Sequence, residues 1–371
     1  MTYTNILMLI YLIPLILLIF CIFRYESNKN IVSSHKIYYF IYAILICISA
    51  FSSEIGSDTI IYMEEYNVAS MLNDLSVYDF LRFNRQPGWI LLFSVCKTIS
   101  THYWVFKVVQ SLFINGVICF FIKNNSYYIF TTTLLYYITL YFQLNFETMR
   151  ESFAIVFFLI SYKYIISNQW IKYYICAFIA LSFHISAVIT LIIPMLKYFL
   201  PFTKKLSTLY YLFILLIFIT PYIQVSSSEL DFLMSDKIST NASFYLDENA
   251  ASISLTFILM FTVKYYIYRK CLKSKINSWL ILMLLCSISL TIFSRSIPIL
   301  YRFDNYFVIP VIICLSASIN NMIDVDNRIL STICIVIIIL FLNYSDISSY
   351  WNINSSGEQQ ISYYVPYKWI F

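Results

Sequence analysis

Arg150 stands at the head of an apolar run, in the segment Asn145-Phe146-Glu147-Thr148-Met149-Arg150-Glu151-Ser152. A cation at a helix N-terminus opposes the helix dipole, so helix stability does not account for it there. A guanidinium beside unbonded backbone N–H groups is instead a strong anion site. The alternative is an ion pair with Glu147 or Glu151, which would make Arg150 structural. Arg82, Arg85, Arg295 and Arg302 join it through topology. Threading the apolar spans so that most of the 24 Lys and Arg fall in short cytoplasmic loops leaves these five arginines on the far side, where Lys237 and Lys368 are the exposed lysines. A preference for Arg over Lys on one face points to planar, bidentate recognition of an anion such as pyrophosphate, with Arg85, Arg150, Arg295 and Arg302 as the binding candidates. For Arg295 and Arg302, which flank Ser296-Ile297-Pro298, snorkelling anchorage at span ends is the competing explanation.

Two groups have the chemistry to move a proton. Asp58, in Gly56-Ser57-Asp58, lies near a span end, where a carboxylate is costly unless paired or solvated. It is a base for a sugar hydroxyl, a partner for an arginine, or the N-cap of a helix over residues 59–66. His184, in Ser182-Phe183-His184-Ile185-Ser186, sits between two hydrophobic stretches at an outer turn. A neutral buried histidine with one hydrogen bond is the common outcome there, yet ionisable groups at membrane depth are functional by default. Asp58, His184 and Arg150 are therefore the catalytic candidates. The adjacent Glu64 and Glu65 offer carboxylates to a divalent cation, but neighbours on a helix point in different directions. No Cys–Cys or Cys–His spacing suits a metal, and all but one of the nine cysteines, Cys271, fall in apolar runs as packing residues. Neither a metal site nor a cofactor is expected.

These residues must be carried by membrane helices. With 60% apolar residues, 12% charged residues and a mean hydropathy of +0.76, the chain lies outside the range of soluble domains. It reads as all-α, a polytopic membrane protein forming one integral membrane domain over 1–371, with about 11–12 transmembrane helices. Spans are expected near residues 5–23, 37–53, 103–122, 127–143, 150–166, 207–225, 253–269, 277–294, 305–320 and 329–343, each long enough at roughly 17–25 residues. The first of them has no cleavage site and reads as a retained span. Residues 88–99 are too short to cross and read as a re-entrant or interfacial helix after Pro87-Gly88. Residues 173–199 read as two short helices meeting at His184. The long acidic loops 54–87 and 226–252 then lie outside, the second reading as a mobile polar loop or lid, or as a solvated connector. A net charge of +5 spread thinly over loops excludes nucleic acid as a partner.

Taken in this order, the pieces resemble the EpsG-like branch of the Wzy polymerases, which join lipid-linked repeat units of O-antigen, capsule or exopolysaccharide. The resemblance rests on Gly56-Ser57-Asp58 with Tyr62, Pro87-Gly88, Asn145 through Arg150 with Ala154, Phe183-His184-Ile185-Ser186-Ala187, Arg302 with Tyr306, and Pro366-Tyr367. It spans most of the chain. One departure is Gln86, where many members have an acid before Pro-Gly; if that acid is catalytic in relatives, its role here falls to Asp58 or Glu147. The resemblance implies a GT-C-like membrane glycosyltransferase in the bacterial cytoplasmic membrane, working on the outer face without a cofactor. Its donor would be a glycan on undecaprenyl pyrophosphate, its acceptor a newly flipped lipid-linked unit, and a chain-length regulator is the one protein partner it allows. The rivals are a polyprenyl-monophosphate-dependent sugar transferase, which would use Glu64-Glu65 and a metal, and a lipid-linked oligosaccharide flippase. A transporter should carry charges within its spans, whereas the charges singled out here gather at one membrane face.

Overall fold

The computed structural model describes residues 3–26, 35–56, 58–82, 85–204, 212–213, 216–217, 255–272, 276–294 and 300–322. Among them the chain is helical, with no strand. In chain order the helices are α1 (Tyr3–Cys21), α2 (His35–Ala50), α3 (Thr59–Val68), α4 (Val77–Arg82), α5 (Pro87–Ile99), α6 (Trp104–Asn125), α7 (Ile129–Tyr136), α8 (Met149–Ile166) and α9 (Trp170–Phe183). A 3-10 helix, Ile185–Lys204, follows α9, and α10 (Leu255–Cys271), α11 (Ser278–Phe293) and α12 (Leu300–Met322) complete the set. Among the described residues three segments, Trp104–Asn125, Ile185–Thr203 and Leu300–Ser318, are long and apolar enough to cross a membrane, and five shorter helices are also apolar. The protein is an all-α polytopic membrane protein. The expected span 329–343 and the loop 226–252 lie outside the described residues, as does most of 207–225.

Two compact units divide the described chain, the first ending at Leu191 and the second covering Ile192–Met322. In the first, α6 packs on α2, α5 and α8, while α9 closes the group against α5 and α8. Pro87 opens α5 at a position where its missing N–H costs nothing. Aromatic rings fill the seams, with Trp89 4.5 Å from Phe93 and 5.2 Å from Phe106, and Phe153 stacked on Phe183 at 5.1 Å. In the second unit α10, α11 and α12 pack on one another. Lys264 of α10 donates to Asp304 of α12 at 2.6 Å and to Thr291 of α11 at 2.7 Å, and Ser287 gives Asp304 a second donor at 2.5 Å. A largely buried charge pair is tolerated because each ion meets its counter-charge and a hydroxyl.

The irregular element of the first unit lies between α7 and α8. Glu26, buried at the end of the π-helical turn Ile22–Glu26, accepts from the N–H groups of Phe130 and Thr131 at 2.7 and 3.0 Å. This carboxylate caps the positive end of α7 from a remote part of the chain. Beyond Tyr136 the helix widens into two π-helical turns, Tyr137–Tyr141 and Gln143–Glu147. Thr148, at φ −90° and ψ 49°, then leaves the helical region, and α8 starts afresh at Met149.

The loop carrying Asp58 is pressed onto this break. Gly56 adopts φ +98°, and a Cβ there would lie 2.1 Å from the Phe146 carbonyl oxygen. At Gly88, a Cβ would lie 2.4 Å from Ser182 Oγ and 2.7 Å from its carbonyl oxygen, so α5 meets the end of α9 with no room for a side chain. Gly56→Ala should therefore destabilise the protein by about 1–3 kcal/mol or more, and Gly88→Ala should lower the thermal midpoint as well. Gly116→Ala, whose added methyl would meet nothing within 4 Å, should not. Thermal unfolding of the purified protein in detergent checks this; a Gly56→Ala protein as stable as Gly116→Ala would contradict the close approach.

Candidate functional site

The restart of α8 sets Arg150 in its first turn, and the cap residue Thr148 makes no side-chain bond to that turn. Among the described residues the guanidinium has two polar partners, both neutral: Nη1 donates to Gln86 Oε1 at 3.2 Å, and Nε reaches the Tyr62 hydroxyl at a long 3.5 Å. Neither Glu147 nor Glu151 lies within ion-pair distance of it, and among the described residues no other carboxylate does. The alternative of a local ion pair is thus not the arrangement adopted. Gln86, directly before Pro87, is one of the two side chains that hold Arg150.

Asp58 occupies the N-cap position of α3, yet its side chain makes no cap bond. Its Oδ2 instead receives the Tyr62 hydroxyl at 3.5 Å. Tyr62 is buried against Trp89, ring centroids 5.0 Å apart, and burial pushes its phenol above the ordinary range despite the opposing pull of Arg150. It stays protonated at neutral pH and donates toward Asp58 while accepting from Arg150. Asp58, Tyr62, Arg150 and Gln86 form one polar chain drawn from α3, α5 and the break.

Arg85 lies beside this chain but is differently engaged. Its Nε and Nη2 both donate to Glu65 Oε1, at 2.8 and 2.5 Å, and Trp89 Nε1 donates to Glu65 Oε2 at 3.3 Å. Glu65 is thereby committed to closing the loop, while Glu64 is exposed. The two acids point apart, and among the described residues no three of His, Cys, Asp and Glu converge as metal ligands.

His184 ends α9 in an extended conformation and is buried. The Ser186 N–H donates to its Nδ1 at 3.2 Å, and Ser186 Oγ lies 2.6 Å from the same nitrogen. A backbone donor requires Nδ1 to be unprotonated, which sets the proton of the neutral ring on Nε2. In that tautomer His184 presents a donor at Nε2. Its neighbours tie it to the rest: Ser182 abuts Gly88, two residues from Gln86, and Phe183 stacks on Phe153, one turn beyond Arg150.

The first unit therefore brings Asp58, Arg85 and Arg150 around Tyr62. Arg302 lies on α12 in the second unit, Arg82 ends α4, and Arg295 lies outside the described residues. Sequence reasoning passed over Lys107, which is fully buried in α6 with Gln110, Ser111 and Asn115. Their spacing of three, four and eight residues marks one helix face, a signal that was present in the sequence. It also passed over the Lys264–Asp304 pair. Lys107 and Lys264 lie within the expected spans 103–122 and 253–269, apart from the charges singled out at the span ends.

Replacing Glu65 with Gln should weaken the Arg85 contact and lower stability by roughly 1 kcal/mol, whereas Glu64→Gln should change little. Equal thermal midpoints for the two variants would remove Glu65 from its bridging role.

Fold and site together define a polytopic helical membrane protein with a guanidinium held among neutral groups at a helix break. The chain belongs to the EpsG family, which it matches over residues 35–369. It is accordingly a polysaccharide-polymerase-like membrane protein. No match was found among curated proteins or among solved structures.

Proposed function

We propose that this protein is a glycosyltransferase that joins undecaprenyl-pyrophosphate-linked oligosaccharide units into O-antigen, capsule or exopolysaccharide, on the outer face of the bacterial cytoplasmic membrane. The observation that carries the reading is Arg150, a cation at a helix start whose polar partners are both neutral. Among the described residues no carboxylate pairs with it, and in this reading its charge is directed at a ligand. Membership of the EpsG family supports the polymer as product.

In this reading the acceptor hydroxyl attacks the anomeric carbon of the donor sugar. A new C–O bond forms as the bond to pyrophosphate breaks, and the electron pair leaves on the pyrophosphate oxygen. Arg150 meets that growing negative charge from a position already fixed by Gln86 and Tyr62. Asp58 takes the proton of the acceptor hydroxyl, oriented by the Tyr62 hydroxyl. His184, whose Nδ1 accepts from the Ser186 N–H, is a substrate-contact candidate and leaves the role of base to Asp58. Arg85, Arg295 and Arg302 are further anion-binding candidates, of which Arg85 has part of its charge met by Glu65.

The metal-dependent transferase is less well supported, because Glu65 already serves Arg85 and Trp89. The flippase gains from charges within spans, but Lys264 and Asp304 satisfy each other. Arg150→Lys keeps the charge and loses the planar fork. Polymer formation from a lipid-linked unit should fall on the order of 100-fold with protein abundance unchanged, and activity of the parent should persist in EDTA. Full activity of the Lys variant would reduce Arg150 to an anchor. Complete loss in EDTA, restored by magnesium, would move the chemistry to a metal.

A further inference from the structure

We infer that Lys107 is the positioning residue for Arg150, an inference that rests on the reading of Arg150 given above. Lys107 has no solvent exposure. Its ammonium donates to the Asn145 carbonyl oxygen at 3.1 Å and sits 5.0 Å from the centroid of the Phe146 ring. Among the described residues no carboxylate pairs with it. Burying an amine that has no counter-ion is costly unless its N–H groups find acceptors. Asn145 lies in the last π-helical turn before the break, where the carbonyl end of a helix carries partial negative charge, and the Phe146 ring face lies alongside. The lysine is placed where the broken helix offers it an acceptor.

What this holds in place is the path from Asn145 to Arg150. Gln110 Nε2 donates to the same Asn145 oxygen at 3.1 Å, and Asn115 Nδ2 donates to Asn145 Oδ1 at 2.8 Å, so one face of α6 fixes the residue by main chain and side chain. Three residues on, Thr148 turns back to Gln143 with its N–H at 2.9 Å, and Ser152 Oγ reaches the Leu144 carbonyl at 2.7 Å. A shift of Asn145 is thereby passed across the break to the first turn of α8, where Arg150 stands. The adjoining Phe146 carbonyl lies 3.1 Å from Oγ1 of Thr59, one residue from Asp58, a hydroxyl whose proton is shared with the Ile55 carbonyl. Lys107 touches no reacting atom in this scheme and acts through the break.

A double-mutant cycle on the full-length protein, purified in detergent, tests this. Turnover at saturating lipid-linked donor is measured for Lys107→Met, Arg150→Lys and the double variant, beside the parent. Lys107→Met should lower turnover by 10- to 100-fold, the range expected for a displaced catalytic group, but by less than about twofold in the Arg150→Lys background, because the two act as one unit. Losses that multiply, or a Lys107→Met protein with parental turnover, overturn the inference while leaving Arg150 as the anion site. If Arg150→Lys alone has parental turnover, the reading of Arg150 fails first. Should Lys107→Met not accumulate, Lys107→Gln, which keeps a neutral donor, takes its place; failure of both to accumulate assigns Lys107 to folding alone and overturns the inference.

Discussion

A helix interrupted inside a membrane protein frees carbonyl groups that hydrocarbon cannot solvate, and each one left without a donor costs roughly 1–3 kcal/mol. At the break before Thr148 the carbonyls of Gln143 to Phe146 meet donors. Gln143 receives Thr148, Leu144 receives Ser152, Asn145 receives Lys107 and Gln110, and Phe146 shares the Thr59 hydroxyl with Ile55. These donors come from α6, from the Asp58 loop and from α8 itself. The break cannot shift without stranding several of them at once, and the positions of Arg150 and Asp58 follow from this shared constraint. Gly56 belongs to the same constraint, since only a residue without a Cβ lets the loop lie on the Phe146 carbonyl.

The cations of the chain separate by how they are compensated. Lys264 meets Asp304 inside the second unit, and Arg85 meets Glu65. Lys107 meets the carbonyl end of a helix and an aromatic face. Arg150 stands in the first turn of its own helix and, among the described residues, is held by the side chains of Gln86 and Tyr62. The first three have partners within the protein, and the proposed function gives the fourth a ligand's charge to meet. A diphosphate, with several charged oxygens and a planar match to guanidinium, fits that requirement.

Much of this was legible in the sequence, for identifiable reasons. Apolar runs marked the helices, Pro87-Gly88 marked the start of α5, and the polar His184 between apolar stretches marked the end of α9. Arg150 was legible as an anomaly because the dipole argument needs only its position at a span start. The π-helical turns were not, since hydropathy has no signature for one extra residue in a turn. Glu26 capping α7 was hidden by a separation of about a hundred residues, and no local pattern announces such a cap. The Arg85–Glu65 pair depends on how a long loop closes, which composition does not state. Lys107 was overlooked for a different reason: an apolar window averages over a single lysine, and only the spacing of Gln110, Ser111 and Asn115 on its helix face reveals it.

The central claim is that the break presents Arg150 to a diphosphate. A structure of the full-length protein bound to a non-hydrolysable lipid-diphosphate analogue tests it most directly. The account predicts a phosphate oxygen within hydrogen-bond distance of the Arg150 guanidinium, with Gln86 and Tyr62 still in contact and the Asn145 carbonyl still held by Lys107. A diphosphate bound elsewhere, with Arg150 turned into an ion pair with Glu147 or Glu151, would contradict it.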